Sequence, residues 1–322
     1  MKKILIINTG GTIDCADTGS GLAPQAVSAA EKLLREKFGE SAELEVMRTM
    51  CLDSSDMQPE HWLELARAVE RQQWRFDGIL ITHGTDTMAY SASALWFMLG
   101  GLRIPVVFTG SQLPVFSEQS DAPRNLSDAM AVLLLGITPS VYVVFGGRII
   151  SGRRAVKRSS TSPDAFMSVN FPEIGTVESG EVRLSGTLDI NGGEIAIGAD
   201  SHVLLVKIAP GLEPGTIYAA KALGYRAVLI EGYGTDGIPS KLRNFLPAIK
   251  HLTENDVVVA LTTQCSDGIC ELRYEESIKC AEYGLVCAGA MTTEAALVKL
   301  MWLCRSNASA ESVRAEFVSD NF

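Results

Sequence analysis

The sequence predicts a two-domain α/β fold, with a larger N-terminal domain built on a mainly parallel sheet with flanking helices and a smaller C-terminal α/β domain. The chain has 322 residues, and single hydrophobic cores stop growing at about 250 to 300 residues. Hydrophobic residues make up 47% and charged residues 20% of it, which is typical of well-packed globular proteins. Short β-rich runs alternate with longer helical patterns, as they do in βαβ units.

Four apolar runs in the first half of the chain have the length and composition of buried strands: residues 4–7, 78–82, 105–109 and 141–145. The clearest helix lies over residues 59–73. There Pro59 suits the first helical position, and Trp62, Leu65 and Val69 fall on one face. The longest apolar run, residues 129–137, is too short to span a membrane and predicts a buried helix.

A glycine-rich stretch near residues 182–201 interrupts this alternation. We therefore expect an N-terminal domain over residues 1–182, a connection over 183–201 and a C-terminal domain over 202–322. In the last of these, residues 203–208, 227–230 and 257–262 are predicted strands. Residues 241–251 and 292–305 are predicted helices.

The charge balance restricts the partners of the protein. A net charge of -10 and a pI near 5.0 argue against nucleic acid or an anionic membrane as the main partner, because both require a basic surface. The apolar residues 4–7 form too short a stretch for the core of a signal peptide, so we expect a cytoplasmic protein.

The cysteines predict neither a disulfide framework nor a zinc site, because their number is odd and no C-x-x-C pair occurs. A reduced cytosol fits this pattern, and we expect no metal and no cofactor. The seven positions are Cys15, Cys51, Cys265, Cys270, Cys280, Cys287 and Cys304.

Two predicted strands end in unusual turns. The first strand leads into residues 8–13 (NTGGTI) and the second into residues 82–87 (THGTDT). Ligands of parallel α/β sheets bind at the carboxyl ends of the strands. Glycines there permit a sharp turn and a close approach to a ligand, and the threonine that follows presents a hydroxyl. A plain strand-to-helix turn is the alternative for either segment alone, but two such turns favour a functional site.

Several common catalytic motifs are missing from the sequence. Gly10 and Gly11 do not complete G-x-G-x-x-G, and neither a G-x-x-x-x-G-K-[ST] loop nor a G-x-S-x-G elbow occurs. Dinucleotide binding, phosphoryl transfer and serine α/β-hydrolase chemistry therefore lack their usual signatures.

With these turns the chain resembles the bacterial-type asparaginase family, most closely its cytoplasmic type I branch. The first and third of the matching segments are highly specific, and the resemblance spans nearly the whole chain. The segments are residues 9–13 (TGGTI), 53–57 (DSSDM), 83–90 (HGTDTMAY), 109–112 (TGSQ), Lys157, 231–234 (EGYG), 262–265 (TTQC) and 291–296 (MTTEAA).

The resemblance implies a two-domain asparaginase-like fold and hydrolysis of L-asparagine to L-aspartate and ammonia, with weaker glutaminase activity as an option. It implies that Thr12 is the nucleophile that forms a β-acyl-enzyme, and that Thr85 is a second catalytic threonine assisted by Lys157 and Asp86. The substrate-binding residues that it implies are Asp53, Ser54 and Ser55 at the α-carboxylate end, with Thr85 and with Asp86 at the α-ammonium.

The resemblance also implies a homodimer or homotetramer, and an effector site for asparagine at Cys265. The chemistry of the residues is compatible with the catalytic roles. A threonine hydroxyl needs a base to act as a nucleophile, and a desolvated lysine can serve as one. A carboxylate such as that of Asp86 suits an ammonium group, and backbone N–H groups near Gly11 and Thr85 could form an oxyanion hole.

Simpler interpretations remain open for single residues. Lys157 lies in the basic run of residues 153–158, which composition alone places on a solvated surface. His83, at the end of an apolar strand, is more readily structural than part of a Thr-His pair. Cys265 is either a regulatory thiol or a small core residue, and free cysteines are usually the latter.

One position departs from the family pattern. Leu22 stands where family members usually carry a tyrosine, in a loop after the nucleophile, and Tyr233, Tyr274 and Tyr283 are candidates to replace it. The departure keeps a second hypothesis open, a non-catalytic or weakly catalytic amino-acid sensor. A third, an amidase acting on glutaminyl groups attached to tRNA, requires a basic RNA-binding surface that a pI near 5.0 argues against.

Overall fold

The computed structural model of the protein describes residues 1–17, 19, 21–24, 28–187 and 189–319. The chain forms two compact units, Met1–Ile197 and Gly198–Phe322. The more detailed division at residues 182 and 202 stays a prediction.

An eight-stranded sheet forms the centre of the first unit, in the order β12-β11-β8-β7-β6-β5-β1-β4. The strands from β4 to β7 are parallel, and β7, β8, β11 and β12 continue the sheet antiparallel. Two small hairpins, β2–β3 and β9–β10, complete the unit. The strands are β1 Lys2–Gly10, β2 Cys15–Asp17, β3 Leu22–Pro24, β4 Ala42–Leu52, β5 Gly78–Thr82, β6 Val106–Thr109, β7 Val141–Phe145, β8 Arg148–Ser151, β9 Ala155–Lys157, β10 Phe166–Ser168, β11 Gly175–Glu178 and β12 Glu181–Leu184.

The helices of this unit begin and end where the sequence provides signals. Among its described residues the helices are α1 Ala29–Phe38, α2 Pro59–Gln72, α3 Met88–Met98 and α4 Ala122–Leu135. Ser28 caps α1 by accepting a hydrogen bond from the Glu31 N–H, and α4 ends at Gly136, whose φ of 84° is left-handed. The predicted helix over residues 129–137 is therefore the last half of α4, and Gly136 terminates it before its predicted end.

Strand register brings three turns to the same edge of the sheet. In the parallel ladders Asn8 lies opposite Thr82, and Thr82 lies opposite Thr109. The chain segments after β1, β5 and β6 consequently start side by side. Ile4 and Ile6, which are buried, pack in one cluster with residues of α1 and α4 and make this part of the unit a fixed support for the turns.

The second unit contains a four-stranded parallel sheet in the order β13-β14-β15-β16. Its strands are β13 Val203–Lys207, β14 Ala227–Gly232, β15 Val258–Thr263 and β16 Val286–Cys287, and its helices are α5 Gly215–Tyr218, α6 Leu246–Glu254, α7 Glu275–Glu282, α8 Thr293–Cys304 and α9 Ala310–Ser319. The predicted α/β class of both domains and the mainly parallel sheet of the first are confirmed.

Two expectations about the second unit are wrong. The helix predicted over residues 241–251 begins only at Leu246, because Pro247 fits the first turn of a helix but not its interior. The structure also pairs Cys270 and Cys287 in a disulfide, which the sequence pattern did not indicate. An antiparallel bridge between Cys270 and Gly289 brings together these segments, and the two cysteines are 17 residues apart in the chain.

Within the part of the chain that the structure describes, no helix combines the length and the apolar character needed to cross a membrane.

Candidate active site

Three turns of the first unit meet through glycines. A Cβ atom at Gly11 would lie 2.4 Å from the backbone nitrogen of Gly84, and one at Gly84 would lie 2.5 Å from Ser54 Oγ. Such distances exclude any side chain at the two glycines without movement of their neighbours. The segments containing Thr12, Ser54 and Thr85 are therefore packed directly against one another, as the resemblance requires of one site.

The first turn is a single turn of 3₁₀ helix over Thr12–Asp14. The Gly11 N–H donates to Leu52 O at 2.9 Å, which joins the turn to the end of β4. The buried carboxylate of Asp14 accepts hydrogen bonds from Asn8 Nδ2 and Ser28 Oγ, among other donors. These contacts fix the backbone on both sides of Thr12. Asp14 was not among the predicted site residues.

The second turn is a 3₁₀ turn over Ser54–Asp56 that Asp53 caps. Asp53 Oδ1 accepts from the N–H and the hydroxyl of Ser55, at 2.8 and 2.7 Å, and these hydrogen bonds lower the pKa of the Asp53 carboxyl below its usual range. Ser54 is buried, and its carbonyl accepts from Thr87 Oγ1 at 2.7 Å. The second turn is thus attached to the segment that carries Thr85.

The third turn carries the charged part of the site. Lys157 Nζ donates to Thr85 Oγ1 at 2.7 Å and to Asp86 Oδ1 at 2.6 Å. Thr85 is buried, whereas 63% of the Asp86 side chain is exposed. Lys157 ends β9, where it lies opposite Phe166 of β10, and its side chain is 17% exposed. The structure therefore places Lys157 against the two predicted residues and not on a solvated surface.

Gln112 and Asp121 complete the surroundings of Thr85, and neither was predicted as a site residue. Thr85 Oγ1 donates to Gln112 Oε1 at 3.2 Å, and the Gln112 N–H donates to both carboxylate oxygens of Asp121 at 3.0 Å. Gln112 belongs to the 109–112 segment of the resemblance, which was the available signal for it. Asp121 directly precedes Ala122 and Pro123, so its sequence context indicates the start of a helix and does not indicate a contact with Gln112.

His83 is structural. The residue is fully buried beside Phe108, its Nδ1 lies 2.7 Å from the carbonyl oxygen of Gly84, and burial lowers the pKa of His83 to about 4. The imidazole is consequently neutral near pH 7.

This burial predicts an acid-sensitive fold. The unfolded chain takes up a proton at His83 near pH 6.5 and the native chain only near pH 4, so the contribution of the neutral ring is complete above pH 6.5 and is lost as the pH falls toward 4. Its size is about 3 kcal/mol. Urea unfolding at pH 7 and pH 4.5 should therefore differ less in His83→Asn than in the wild type. Equal differences in His83→Asn and the wild type would contradict the expectation.

The close contact at Gly11 predicts a second effect on stability. Gly11 has φ 82° and ψ 176°, a region that is essentially restricted to glycine, so Gly11→Ala should destabilise the protein by more than about 3 kcal/mol and disrupt the site. Gly180 is a control of similar φ, 83°, at which a Cβ atom would have no neighbour within 4 Å. Gly180→Ala should cost only about 1 to 2 kcal/mol. Urea unfolding of the two variants measures the difference, and an equal loss of stability in both would contradict the expectation.

The remaining predicted residues lie in β3 and in the second unit. β3 contains Leu22, but its side chain lies outside the described part of the structure. Cys265 lies in the second unit, where it is exposed and its N–H donates to Thr263 Oγ1 at 3.0 Å. Tyr274 and Tyr283 flank α7 in that unit.

The three turns bring the segments of Thr12, Ser54 and Thr85 together in one threonine-bearing site. The family model described as "Asparaginase, N-terminal" matches residues 3–189, and that described as "Glutaminase/Asparaginase C-terminal domain" matches residues 202–317. The chain therefore belongs to the asparaginase family.

Individual relatives agree with this assignment. The L-asparaginase of Thermococcus kodakarensis is 38% identical over 97% of this chain and 95% of its own length, and its solved structure superposes with a TM-score of 0.92 over 99% of this chain and 97% of that one. L-asparaginase 1 of Escherichia coli is 32% identical over 97% of this chain and 95% of its own length. A glutamyl-tRNA(Gln) amidotransferase polypeptide of Methanosarcina mazei is also 32% identical, over 94% of this chain but only 74% of its own length.

Proposed function

We propose that the protein is an L-asparaginase, which hydrolyses the side-chain amide of L-asparagine to L-aspartate and ammonia. The observation that carries the proposal is the contact of Lys157 Nζ with both Thr85 and Asp86, beside the turn that presents Thr12. The two L-asparaginases reported above support it by similarity over 97% of the chain.

In the proposed reaction, the Thr12 hydroxyl oxygen attacks the amide carbon of the substrate and its proton is transferred toward the leaving nitrogen. Ammonia departs and leaves a β-acyl ester on Thr12. Water then attacks the ester carbon, releases L-aspartate and returns a proton to Thr12. Thr85 and Lys157 assist the proton transfers. Backbone N–H groups near Gly11 and Thr85 stabilise the oxyanion.

Substrate binding divides between two turns. The exposed carboxylate of Asp86 receives the α-ammonium group. The α-carboxylate binds at the Asp53–Ser55 turn, where the Asp53 carboxylate is already engaged by Ser55 and fixes the turn. The arrangement selects a free amino acid with an amide side chain. One methylene in a pocket is worth about 1 to 3 kcal/mol, so glutamine is a weaker substrate of the same site.

The test of the function is steady-state release of ammonia from L-asparagine, L-glutamine and D-asparagine. Turnover is expected to be highest with L-asparagine. Absence of ammonia release from all three, together with calorimetric binding of L-asparagine, would refute the enzyme and support the amino-acid sensor for which Leu22 is the specific argument. The tRNA-linked amidase is disfavoured by the net charge of -10.

The proposal extends to assembly and location. The protein acts in the cytoplasm as a homodimer or homotetramer, and Tyr233, Tyr274 or Tyr283 supplies the phenol that is missing at Leu22. Sedimentation velocity tests the oligomeric state. A monomer at all concentrations would contradict this part of the proposal.

Cys265 marks a proposed effector site for asparagine in the second unit. If the site operates, initial rates should depend sigmoidally on the asparagine concentration, because binding there changes the affinity or rate of the catalytic site. The matched variant Cys265→Ser should make the curve hyperbolic. Strictly hyperbolic kinetics of the wild type across all concentrations would eliminate the effector site and leave the proposed activity untouched.

A further inference from the structure

The side-chain amide of Gln112 connects the Thr85 hydroxyl with the segment that follows Lys157. Its oxygen Oε1 accepts from Thr85 Oγ1 at 3.2 Å, and its nitrogen Nε2 donates to the carbonyl oxygens of Ser159 and Ser162, at 3.2 Å each. The backbone of Gln112 is held separately by Asp121. The amide is therefore restrained at both of its polar atoms.

These partners determine which way each hydrogen bond runs. Carbonyl oxygens only accept, so the NH₂ group of Gln112 must face Ser159 and Ser162 and its oxygen must face Thr85. A lysine ammonium only donates. Thr85 Oγ1 therefore directs its proton to Gln112 and a lone pair to Lys157.

The geometry points to Gln112 as a positioning residue that holds the Thr85 hydroxyl in register with Lys157. The inference rests on the proposed function, in which Thr85 and Lys157 transfer protons. Without an acceptor at Gln112, the threonine hydroxyl could occupy other staggered rotamers, and proton transfer requires donor and acceptor within hydrogen-bond reach. Gln112 acts through Thr85, so it is a positioning and not a catalytic residue.

The same amide also fixes the loop that follows Lys157. Within this loop Asp164 pairs with Arg148 at 3.0 Å and with Arg158. The hydrogen bonds of the Gln112 amide connect this loop, at Ser159 and Ser162, to the Thr85 hydroxyl. The groups facing Lys157 are the Asp86 carboxylate in direct contact and apolar Phe166 across the hairpin, with the Arg158–Asp164 pair next in the chain and Asp121 behind Gln112.

Replacement of Gln112 by methionine tests this role. Gln112→Met retains the length of the side chain but none of its hydrogen bonds. We expect kcat to fall by about 10- to 100-fold with KM within about threefold, as for a small misplacement of a reacting group.

The matched control is Gln73→Met. The buried amide of Gln73 also uses both of its polar atoms, since Oε1 accepts from the Arg103 N–H at 3.2 Å and Nε2 donates to the Glu70 carbonyl at 3.4 Å. The same chemical change there should lower the unfolding midpoint without lowering kcat. A fall in kcat of equal size in both methionine variants would assign the effect to general destabilisation and overturn the inference.

A direct readout separates this inference from the proposed function. Threonine methyl groups labelled with ¹³C are observed by NMR, and the Thr85 signal is assigned by its loss in Thr85→Ser. The position of this signal depends on the χ1 rotamer, so we expect it to move or broaden in Gln112→Met and not in Gln73→Met, whether or not the protein turns over asparagine. An unchanged signal, or a kcat of Gln112→Met within twofold of an active wild type, overturns the positioning role. Absence of ammonia release by the wild type refutes only the proposed function.

Discussion

Replacement of Thr12 by alanine is expected to abolish ammonia release from asparagine, with a fall in kcat of at least about 10⁴-fold, because the variant has no oxygen with which to form the acyl-enzyme. The fold should survive. The turn is held by the Gly11 N–H on Leu52 and by the buried Asp14 carboxylate, and both contacts persist in the variant. Ammonia release and the urea midpoint are measured on the same preparation.

Two controls restrict the interpretation of that experiment. Thr12→Ser keeps a hydroxyl and should retain measurable turnover. Thr253→Ala removes a threonine hydroxyl that bonds locally to the Lys250 carbonyl in the second unit, and it should leave kcat unchanged. Equal activity of Thr12→Ala and the wild type would end the assignment of Thr12 as nucleophile. If Thr12→Ala does not fold, the assignment is tested instead by the turnover of Thr12→Ser and by detection of the acyl-enzyme on Thr12.

Much of the first unit can be predicted from sequence because its strands are short, apolar and buried. Residues 78–82 and 141–145 form strands with the predicted bounds. Few other secondary structures suit such a run when glycine-containing turns lie at its ends. Parallel pairing then requires the turns after β1 and β5 to lie next to each other, so the meeting of Gly11 with Gly84 follows from the fold class together with the register.

Long-range contacts could not be predicted in this way. Lys157 is 72 residues from Thr85, and its local sequence resembles a solvated basic run, so only the resemblance suggested its position. Gln112 is a second case, because an amide that contacts backbone carbonyls carries no pattern in the sequence. The same limit applies to the Cys270–Cys287 disulfide, whose pairing depends on the antiparallel bridge between Cys270 and Gly289.

Helix ends were predictable only where a single residue decided them. Pro59 starts α2 as the pattern indicates, whereas Pro247 delays the start of α6 to Leu246. Both prolines lie in the first turn of their helix. The pattern that predicted α2 starts at Pro59 itself, whereas the one that predicted α6 starts at residue 241, before Pro247. Proline is therefore a stronger boundary signal here than apolar periodicity.

Replacement of Lys157 by methionine is expected to lower kcat by about 10² to 10⁴-fold, the usual contribution of a positioned proton-transfer group. Methionine approximates the length of the lysine stem but carries no nitrogen, so Thr85 Oγ1 and Asp86 Oδ1 both lose their donor. Because the proposed task of Lys157 is proton transfer and not substrate contact, binding of the product L-aspartate should change little. Calorimetric titration with L-aspartate and single-turnover ammonia release measure the two properties separately.

The control for the charge change is Lys3→Met, since Lys3 pairs with Glu43 at 3.0 Å and about half of each side chain is exposed. Exposed pairs of this kind contribute about 0 to 1 kcal/mol, so this variant should retain full turnover and nearly full stability. If Lys157→Met behaves like Lys3→Met, Lys157 is a surface charge and Thr85 is activated by another group. If Lys157→Met instead loses turnover and product binding together, the main task of Lys157 is to hold the Asp86 carboxylate in place. That carboxylate then binds the α-ammonium group of the substrate.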